Sequence, residues 1–198
     1  MHPLASLAKK TVESYIKERK IIEPPANLPK EFLEKKAGVF VTIEKNGQLR
    51  GCIGTYLPTC QNVAKEVIQN AISAATQDYR FDSIQKEELS ELSFTVYVLN
   101  KPEPVKNIKE LNPKKFGIIV KEVPFPKEEF IEKTGLLLPD LEGIDSVEKQ
   151  ISIACQKAGI NPLKERFLIY KFTVEKYQQN DQSKNSSNFR RNKQIVRN

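Results

Sequence analysis

Hydrophobic residues recur at helical spacing in three parts of the chain. Residues 4–19 carry an apolar stripe, which predicts an amphipathic helix. A second stripe covers residues 63–75, and a third follows a capping-box pattern near residue 145. The residues expected to cap or end these helices are Pro24-Pro25, Thr59, Asp145 with Glu148, and Gly159.

Alternating and β-branched stretches between these helices predict strands. The clearest is residues 38–45, because Asn46-Gly47 after it favours a two-residue hairpin turn into residues 48–54. Further strands are predicted at residues 91–99, 116–121 and 167–176. Since helices and strands mix without regular β-α-β alternation, we predict an α+β fold with mainly antiparallel sheets and flanking helices.

The Asn46-Gly47 turn also predicts a register for the hairpin. A two-residue turn pairs Lys45 with Gln48, Ile43 with Arg50, Val41 with Cys52, and Val39 with Gly54. Side chains alternate along a strand, so Phe40, Leu49 and Ile53 are expected to share one face. Arg50, Cys52 and Gly54 are expected to share the other, with about 7 Å between the Cα atoms of Arg50 and Cys52.

A guanidinium, a thiol and two glycines on one short strand indicate a catalytic or ligand-binding site. A nearby Arg50 would lower the pKa of the Cys52 thiol and favour its nucleophilic thiolate. Gly51 and Gly54 would let a ligand or another backbone approach closely. The alternative is structural: free cysteine often behaves as a small buried hydrophobe, and Arg50 can extend to solvent.

A second polar segment follows the predicted helix at residues 63–75. Asp78-Tyr79-Arg80-Phe81-Asp82 places two carboxylates around an arginine. Asp78 and Arg80 are therefore candidates to orient a bound ligand. The competing interpretation is a turn that ends the helix and carries a surface ion pair of small energetic value.

The net charge of +7 over 198 residues is concentrated at one end. Residues 179–198 contribute +4, which leaves +3 for residues 1–178. This end is rich in Asn, Gln and Ser, so we predict one domain over 1–178 and a disordered basic polar tail over 179–198. We expect no nucleic-acid binding by the domain and weak binding at most through the tail, whose deletion should remove it.

The scarcity of histidine and cysteine excludes many sites. His2 is the only histidine, which disfavours Ser-His-Asp and Cys-His pairs. The three cysteines form no Cys-x-x-Cys pair, and no glycine-rich nucleotide motif occurs. We therefore expect no metal and no cofactor. We also expect no membrane segment, and a location in the reducing cytoplasm.

Four motifs occur in order along the chain: Leu49-Arg50-Gly51-Cys52-Ile53-Gly54-Thr55, Asp78-Tyr79-Arg80-Phe81, Gly135-Leu136-Leu137-Leu138-Pro139 and Lys157-Ala158-Gly159-Ile160. With these motifs the chain resembles the AMMECR-one domain family, also known as protein A of the AmmeMemoRadiSam system, from about Leu4 to Tyr177. The resemblance implies two unequal lobes in one continuous domain, each with an antiparallel sheet, and a signature strand facing the cleft between them.

Two functions fit these features. In the first, the cleft binds or transforms a small anionic or carbonyl-bearing molecule, with Cys52 as nucleophile or redox thiol and Arg50 stabilising the thiolate or the anion. Such an enzyme would have no internal histidine base. In the second, the chain is an accessory or adaptor module for Memo-like or extradiol-dioxygenase-like proteins and a radical SAM protein. These are the partners that the resemblance implies.

Overall fold

The computed structural model describes residues 2–123 and 133–178, which form helices and two four-stranded antiparallel sheets. The α+β class predicted from the pattern is confirmed. The helices are α1 (Pro3–Glu18), α2 (Lys30–Glu34), α3 (Val63–Thr76) and α4 (Val147–Ala158). The strands are β1 (Val39–Lys45), β2 (Gln48–Gly54), β3 (Leu92–Leu99), β4 (Glu103–Pro104), β5 (Gly117–Glu122), β6 (Thr134–Leu137), β7 (Phe167–Phe172) and β8 (Val174–Gln178).

The first sheet has the strand order β2-β1-β3-β8 and, with α1, α2 and α3, makes up the first lobe. Alternation along β1 and β3 places one set of side chains beneath α1 and α3. These buried residues are Val39, Val41, Ile43, Leu92, Phe94, Val96 and Val98. Asn62, rather than the expected Thr59, caps α3 by accepting a hydrogen bond from the Lys65 N–H. Thr59 instead belongs to the preceding loop.

The hairpin of β1 and β2 differs from its predicted register. Lys45 pairs with Gln48 as expected, but an irregularity between Ile43 and Glu44 moves the later pairs by one residue. The observed pairs include Thr42 with Cys52, Val41 with Ile53, and Phe40 with Gly54. A β-bulge, which places an extra residue on one strand, explains the shift. The predicted pairs of Arg50, Cys52 and Gly54 are therefore wrong.

The second sheet, with the order β4-β7-β5-β6, forms the second lobe together with α4. Ser146 caps α4, where the sequence suggested a box of Asp145 with Glu148, and Gly159 ends it at a left-handed φ of 67° as predicted. The single strand predicted at residues 167–176 is two strands. Thr173 separates β7 in the second sheet from β8 in the first.

The two sheets meet through a separate apolar cluster. Its buried members are Leu99, Ile119, Leu138 and Phe172, and it is extended by Phe40, Tyr56, Tyr97, Leu136, Tyr170 and Val174. Phe40 and Tyr97 are paired neighbours on β1 and β3. The face of the first sheet that carries them, here called the inner face, therefore lies against the second lobe.

Within the described residues, the chain passes between the sheets at two adjacent points. One crossing follows β3 at Asn100, and the other is Thr173 between β7 and β8. Asn100 donates hydrogen bonds from its backbone N–H to the Thr173 carbonyl and from Nδ2 to the Thr173 Oγ1, both at 2.9 Å. Among the described residues, no helix combines the length and apolar character needed to cross a lipid bilayer.

Candidate functional site

The Cys52 thiol lies on the inner face of the first sheet, within a row of polar side chains. Its Sγ is 3.3 Å from the Thr42 Oγ1 on the neighbouring strand. Thr42 pairs with Thr95, whose hydroxyl accepts a hydrogen bond from the Gln178 Nε2 at 3.3 Å. The row Cys52, Thr42, Thr95 and Gln178 thus spans all four strands. It places hydrogen-bonding groups beside the apolar cluster that lies between the two sheets.

Aromatic residues border this polar row. Tyr97 lies two residues along from Thr95, on the same face of β3. Burial raises the pKa of the Tyr97 phenol to about 12, and interaction with Cys52, Glu44 and Asp140 adds to the shift. Tyr97 therefore stays protonated at neutral pH, so it cannot act as a base there but can donate a hydrogen bond.

The second lobe contributes an amine to the same region. Lys157, in the last turn of α4, donates a hydrogen bond from Nζ to the Leu136 carbonyl at 2.9 Å. Much of the side chain is exposed, yet the protein around the amine removes water and lowers its pKa. Lys157 also interacts electrostatically with Cys52 and Arg80. Sequence analysis included Lys157 in a family motif without giving it a role.

The pKa of Cys52 is raised, which is opposite to the direction expected from an adjacent Arg50. Burial is the largest cause. The hydrogen bond with Thr42 and the charges of Arg80 and Lys157 lower the pKa, while Asp78 raises it, and these effects do not outweigh burial. The resting side chain is therefore a thiol, and any thiolate must form by loss of its proton to a base.

Arg50 is directed away from the thiol, toward Glu88 and the carbonyl of Asp82. It donates from Nε and Nη2 to the two Glu88 carboxylate oxygens at 2.9 and 3.0 Å, and from Nη1 to the Asp82 carbonyl at 2.8 Å. The bond from Arg50 lowers the pKa of Glu88 to about 2. Arg50 therefore joins β2 to the segment after α3.

Asp78 and Arg80 bind the backbone of Cys52 itself. Asp78 is 5% exposed, and its Oδ2 accepts hydrogen bonds from the Cys52 N–H at 2.9 Å and the Arg80 Nη2 at 2.7 Å. The same Arg80 nitrogen lies 3.5 Å from the Cys52 carbonyl oxygen. Because β2 is an edge strand, these side chains satisfy backbone groups that would otherwise face solvent. The two sequence motifs therefore form one structural unit.

The two glycines of the signature are sites of close packing. A Cβ on Gly51 would lie 2.2 Å from the Ala74 carbonyl oxygen of α3. A Cβ on Gly54 would lie 2.3 Å from the Phe40 ring. Gly51 thus admits a neighbouring backbone, one of the two possibilities raised from the sequence. The space beside Gly54 is filled by Phe40.

A buried carboxylate, which sequence analysis missed, fixes the loop after β2. Glu66 is 0% exposed and accepts four hydrogen bonds, from the Thr55 and Thr59 hydroxyls and from the Thr59 and Cys60 N–H groups. Burial alone would raise the pKa of Glu66, but these bonds lower it overall. The available signal was a glutamate among the apolar residues of the α3 stripe.

The chain is an α+β protein with two antiparallel sheets and a thiol on the face between them. The Asp-x-Arg motif holds the backbone of the strand that carries the Arg-Gly-Cys motif. The chain belongs to the AMMECR1 family, whose family model matches residues 5–177. This confirms the resemblance carried by the signature motifs.

Relatives and a solved structure agree with this assignment. A protein of Thermotoga maritima is 48% identical over 177 residues, covering 89% of this chain and 97% of the relative. A protein of Clostridium acetobutylicum is 41% identical over 178 residues, which cover 36% of its length. The crystal structure of the uncharacterized protein PH0010 from Pyrococcus horikoshii has a TM-score of 0.79 and 33% identity, covering 89% of this chain and 90% of that one.

Proposed function

We propose that this chain binds a small anionic or carbonyl-bearing molecule between its lobes and transforms it with the Cys52 thiol. The observation that carries the proposal is the position of Cys52. It sits at the end of a polar row, where Arg80 from the first lobe and Lys157 from the second both interact with it electrostatically. Cationic groups beside a nucleophile favour binding of an anion and stabilise a developing oxyanion.

The groups around Cys52 have different roles in such a site. Thr42 and Thr95 supply hydroxyls on the inner face, and Tyr97 supplies a phenol that remains protonated. Asp78 holds the Cys52 backbone, so the sulfur keeps a fixed position. Arg50, Gly51 and Gly54 support the strand through Glu88, α3 and Phe40.

Two alkylating probes with the same reactive carbon test this proposal. Iodoacetate is anionic and iodoacetamide is neutral, and mass spectrometry resolves their adducts on Cys52, Cys60 and Cys155. We expect the ratio of the iodoacetate rate to the iodoacetamide rate to be about tenfold higher at Cys52 than at Cys60, because an attraction of about 1.4 kcal/mol suffices for that factor. Cys155, which is fully buried, serves as the unreactive internal control.

Equal ratios at Cys52 and Cys60 would overturn the anion-binding part of the proposal. If Cys52 reacts with neither probe until the protein unfolds, its role is packing and the catalytic proposal fails. Arg80→Gln should reduce the iodoacetate preference at Cys52 while leaving the ratio at Cys60 unchanged.

A second candidate function, an accessory module, is favoured by Tyr79. This aromatic residue lies in the motif that holds the Cys52 backbone and is 96% exposed. Exposed aromatic side chains commonly anchor protein interfaces. The Clostridium acetobutylicum relative, of which the match covers 36%, also contains further sequence beside the shared region. On this proposal the partners are Memo-like or extradiol-dioxygenase-like proteins and a radical SAM protein.

Binding of purified partner proteins to the intact chain tests the accessory function. Calorimetry with a Memo-like and a radical SAM protein from the same organism should show association that Tyr79→Ser weakens at least tenfold. Leu163→Ser is the matched control, because Leu163 is 94% exposed but lies in the second lobe. No association, or equal loss with both variants, would contradict this role for Tyr79.

A further inference from the structure

A cavity of about 460 Å³ lies on the outer side of the first lobe, between α3 and the segment that follows α1. Because α1 and α3 cover one side of the first sheet and Cys52 lies on the inner face, the sheet separates this cavity from the Cys52 thiol. Its volume falls within the range of about 300 to 1,000 Å³ that is usual for small-molecule sites. The cavity is therefore a candidate binding site that the proposed function does not use.

Apolar side chains from both sides form most of the cavity wall. Those from the segment after α1 are Ile21, Ile22 and Pro24, and those from α3 are Ile68 and Ile72. Ile22 and Ile72 also pack against the core of the first lobe, which supports the wall from beneath. Ile21 is 63% exposed, so an apolar ligand in the cavity would remove part of this side chain from water.

The helix α3 determines the shape of the cavity. Its lining residues extend from Lys65 to Gln77, whose Cα atoms are about 18 Å apart at the rise of an α-helix. The lining residues between these two are Ile68, Gln69, Ile72 and Ser73. Their spacing places them on one face of the helix, so the cavity is an elongated groove, here called the outer groove. This shape suits an extended chain better than a compact ring system.

Polar groups lie at the end of the outer groove where α3 begins. The Cys60 Sγ donates to the Gln69 Oε1 at 3.0 Å, and the Lys65 Nζ donates to the Gln61 Oε1 at 3.1 Å. Both acceptors are neutral amides, so neither contact cancels the charge of Lys65. Glu23 also lines the groove, but among the described residues it forms no ion pair with Lys65. Lys65 can therefore pair with an anionic group of a ligand.

We infer that the outer groove binds a carboxylate with an unbranched apolar chain, of the fatty-acid class. The carboxylate pairs with Lys65, and the chain lies along α3 beneath Ile21. Such a ligand also covers the Cys60 thiol, which lines the groove and is only partly buried without it. This second site goes beyond the proposed function and does not depend on the chemistry of Cys52.

Protection of Cys60 from iodoacetamide tests the inference in the full-length chain. The probes are octanoate and dodecanoate, each below its micelle concentration, and mass spectrometry resolves the adducts on Cys60 and Cys52. At about ten times its half-protecting concentration, dodecanoate should slow alkylation of Cys60 about tenfold and that of Cys52 less than about twofold. The half-protecting concentration should be at least about tenfold lower for dodecanoate than for octanoate, because four further methylene groups are buried.

Variants separate the carboxylate end of the ligand from its chain. Lys65→Gln should raise the half-protecting concentration of octanoate about fivefold but leave that of neutral 1-octanol unchanged. Lys149→Gln, at an exposed position on α4, is the matched control and should change neither. Ile21→Glu should weaken dodecanoate at least about tenfold, because it places a carboxylate beside the chain. Protection is the ratio of the rates without and with ligand, so any change in the intrinsic reactivity of Cys60 cancels within each variant.

Three results would overturn the inference. The first is a Cys60 that dodecanoate does not protect, or protects no better than Cys52. The second is a half-protecting concentration that does not depend on chain length. The third is an equal effect of Lys65→Gln and Lys149→Gln on octanoate.

Discussion

Arg50 and Glu88 are joined by two parallel hydrogen bonds, from Nε to Oε1 at 2.9 Å and from Nη2 to Oε2 at 3.0 Å. Glu88 also accepts from the Gln85 N–H at 2.9 Å, within the capping box of the 3-10 helix Lys86–Glu91. This two-point ion pair therefore connects the signature strand to the segment that leads into β3. Arg50 was expected to lower the pKa of the Cys52 thiol, but it instead supports the strand that carries this thiol.

Removal of Arg50 should destabilise the fold. Arg50→Met leaves the Glu88 carboxylate, whose side chain is 15% exposed, without its main partner. We expect the free energy of unfolding to fall by about 2 to 4 kcal/mol, measured by urea denaturation. The double variant Arg50→Met with Glu88→Gln should lose less than the two single changes added together. Lys45→Met, which removes a weaker contact with Glu88 at 3.4 Å, is the control and should cost below about 1 kcal/mol.

The same Arg50→Met variant distinguishes structural support of β2 from an effect of Arg50 on the pKa of Cys52. Because Arg50 is not among the groups that shift the pKa of Cys52, its loss should leave the midpoint of Cys52 alkylation in the folded protein within about 0.3 pH units of wild type. A large upward movement of the midpoint in folded Arg50→Met would restore the original expectation that Arg50 activates the thiol.

Gly51→Ala should be strongly destabilising. The added methyl would lie 2.2 Å from the Ala74 carbonyl oxygen, so β2 and α3 would have to separate. We expect a loss of about 2 to 4 kcal/mol in thermal or urea unfolding. Gly47→Asn is the comparison, because Gly47 has open surroundings and a φ of +79° that asparagine tolerates. A change at Gly51 as small as the one at Gly47 would show that the helix can move without cost.

Replacement of the buried Glu66 should release the loop that follows β2. In Glu66→Gln only one acceptor oxygen remains, so the side chain cannot accept both from the Thr59 and Cys60 N–H groups and from the Thr55 and Thr59 hydroxyls. We expect a loss of about 2 to 4 kcal/mol of unfolding free energy and faster alkylation of Cys60 in the native state. Gln61→Ala, in the same loop, should leave the Cys60 rate within about twofold, since a surface change of this kind is usually small.

Stability should fall in acid because two carboxylates are more acidic in the folded chain. Hydrogen bonds from Arg80 lower the pKa of Asp78 from 3.8 to about 2, and those from Arg50 lower that of Glu88 from 4.5 to about 2. The unfolded chain binds more protons between these values, so the contribution is complete above about pH 5 and is lost as the pH falls toward 2. With allowance for the exposed Arg80, it is about 2 to 4 kcal/mol.

Urea unfolding at pH 7 and pH 3 measures this contribution. Other carboxylates titrate in the same range, so the useful quantity is the difference between wild type and the double variant Asp78→Asn with Glu88→Gln. The variant should lose less stability between the two pH values than wild type does. An identical loss in both proteins would contradict the assignment to Asp78 and Glu88.

Local patterns predicted the elements of this fold well. Asn46 and Gly47 adopt the positive φ values of 52° and 79° that their hairpin turn requires, and Gly159 ends α4 as expected. Thr173 was missed because residues on both sides keep strand character, so nothing local marks the change of sheet. The bulge beside Ile43 was missed because the turn residues predict the register only next to the turn, and an added residue beyond it shifts every later pair by one.

The candidate site was predictable only in part. The sequence singled out Cys52, Asp78 and Arg80, and the structure brings them together through backbone hydrogen bonds. The partners that decide their chemistry come from distant positions. Glu88 accepts hydrogen bonds from Arg50 across 38 residues of sequence, and Lys157 of the other lobe interacts electrostatically with Cys52. Spacing along one strand cannot reveal such competition between partners.

The hydrogen bonds between Asn100 and Thr173 place both connections of the described chain between the sheets side by side. The described covalent connections between the two lobes therefore lie at one place, at these two residues. A substitution at Asn100 removes the side-chain hydrogen bond at this junction, so we expect it to loosen the alignment of the two sheets although it lies far from Cys52 in the sequence.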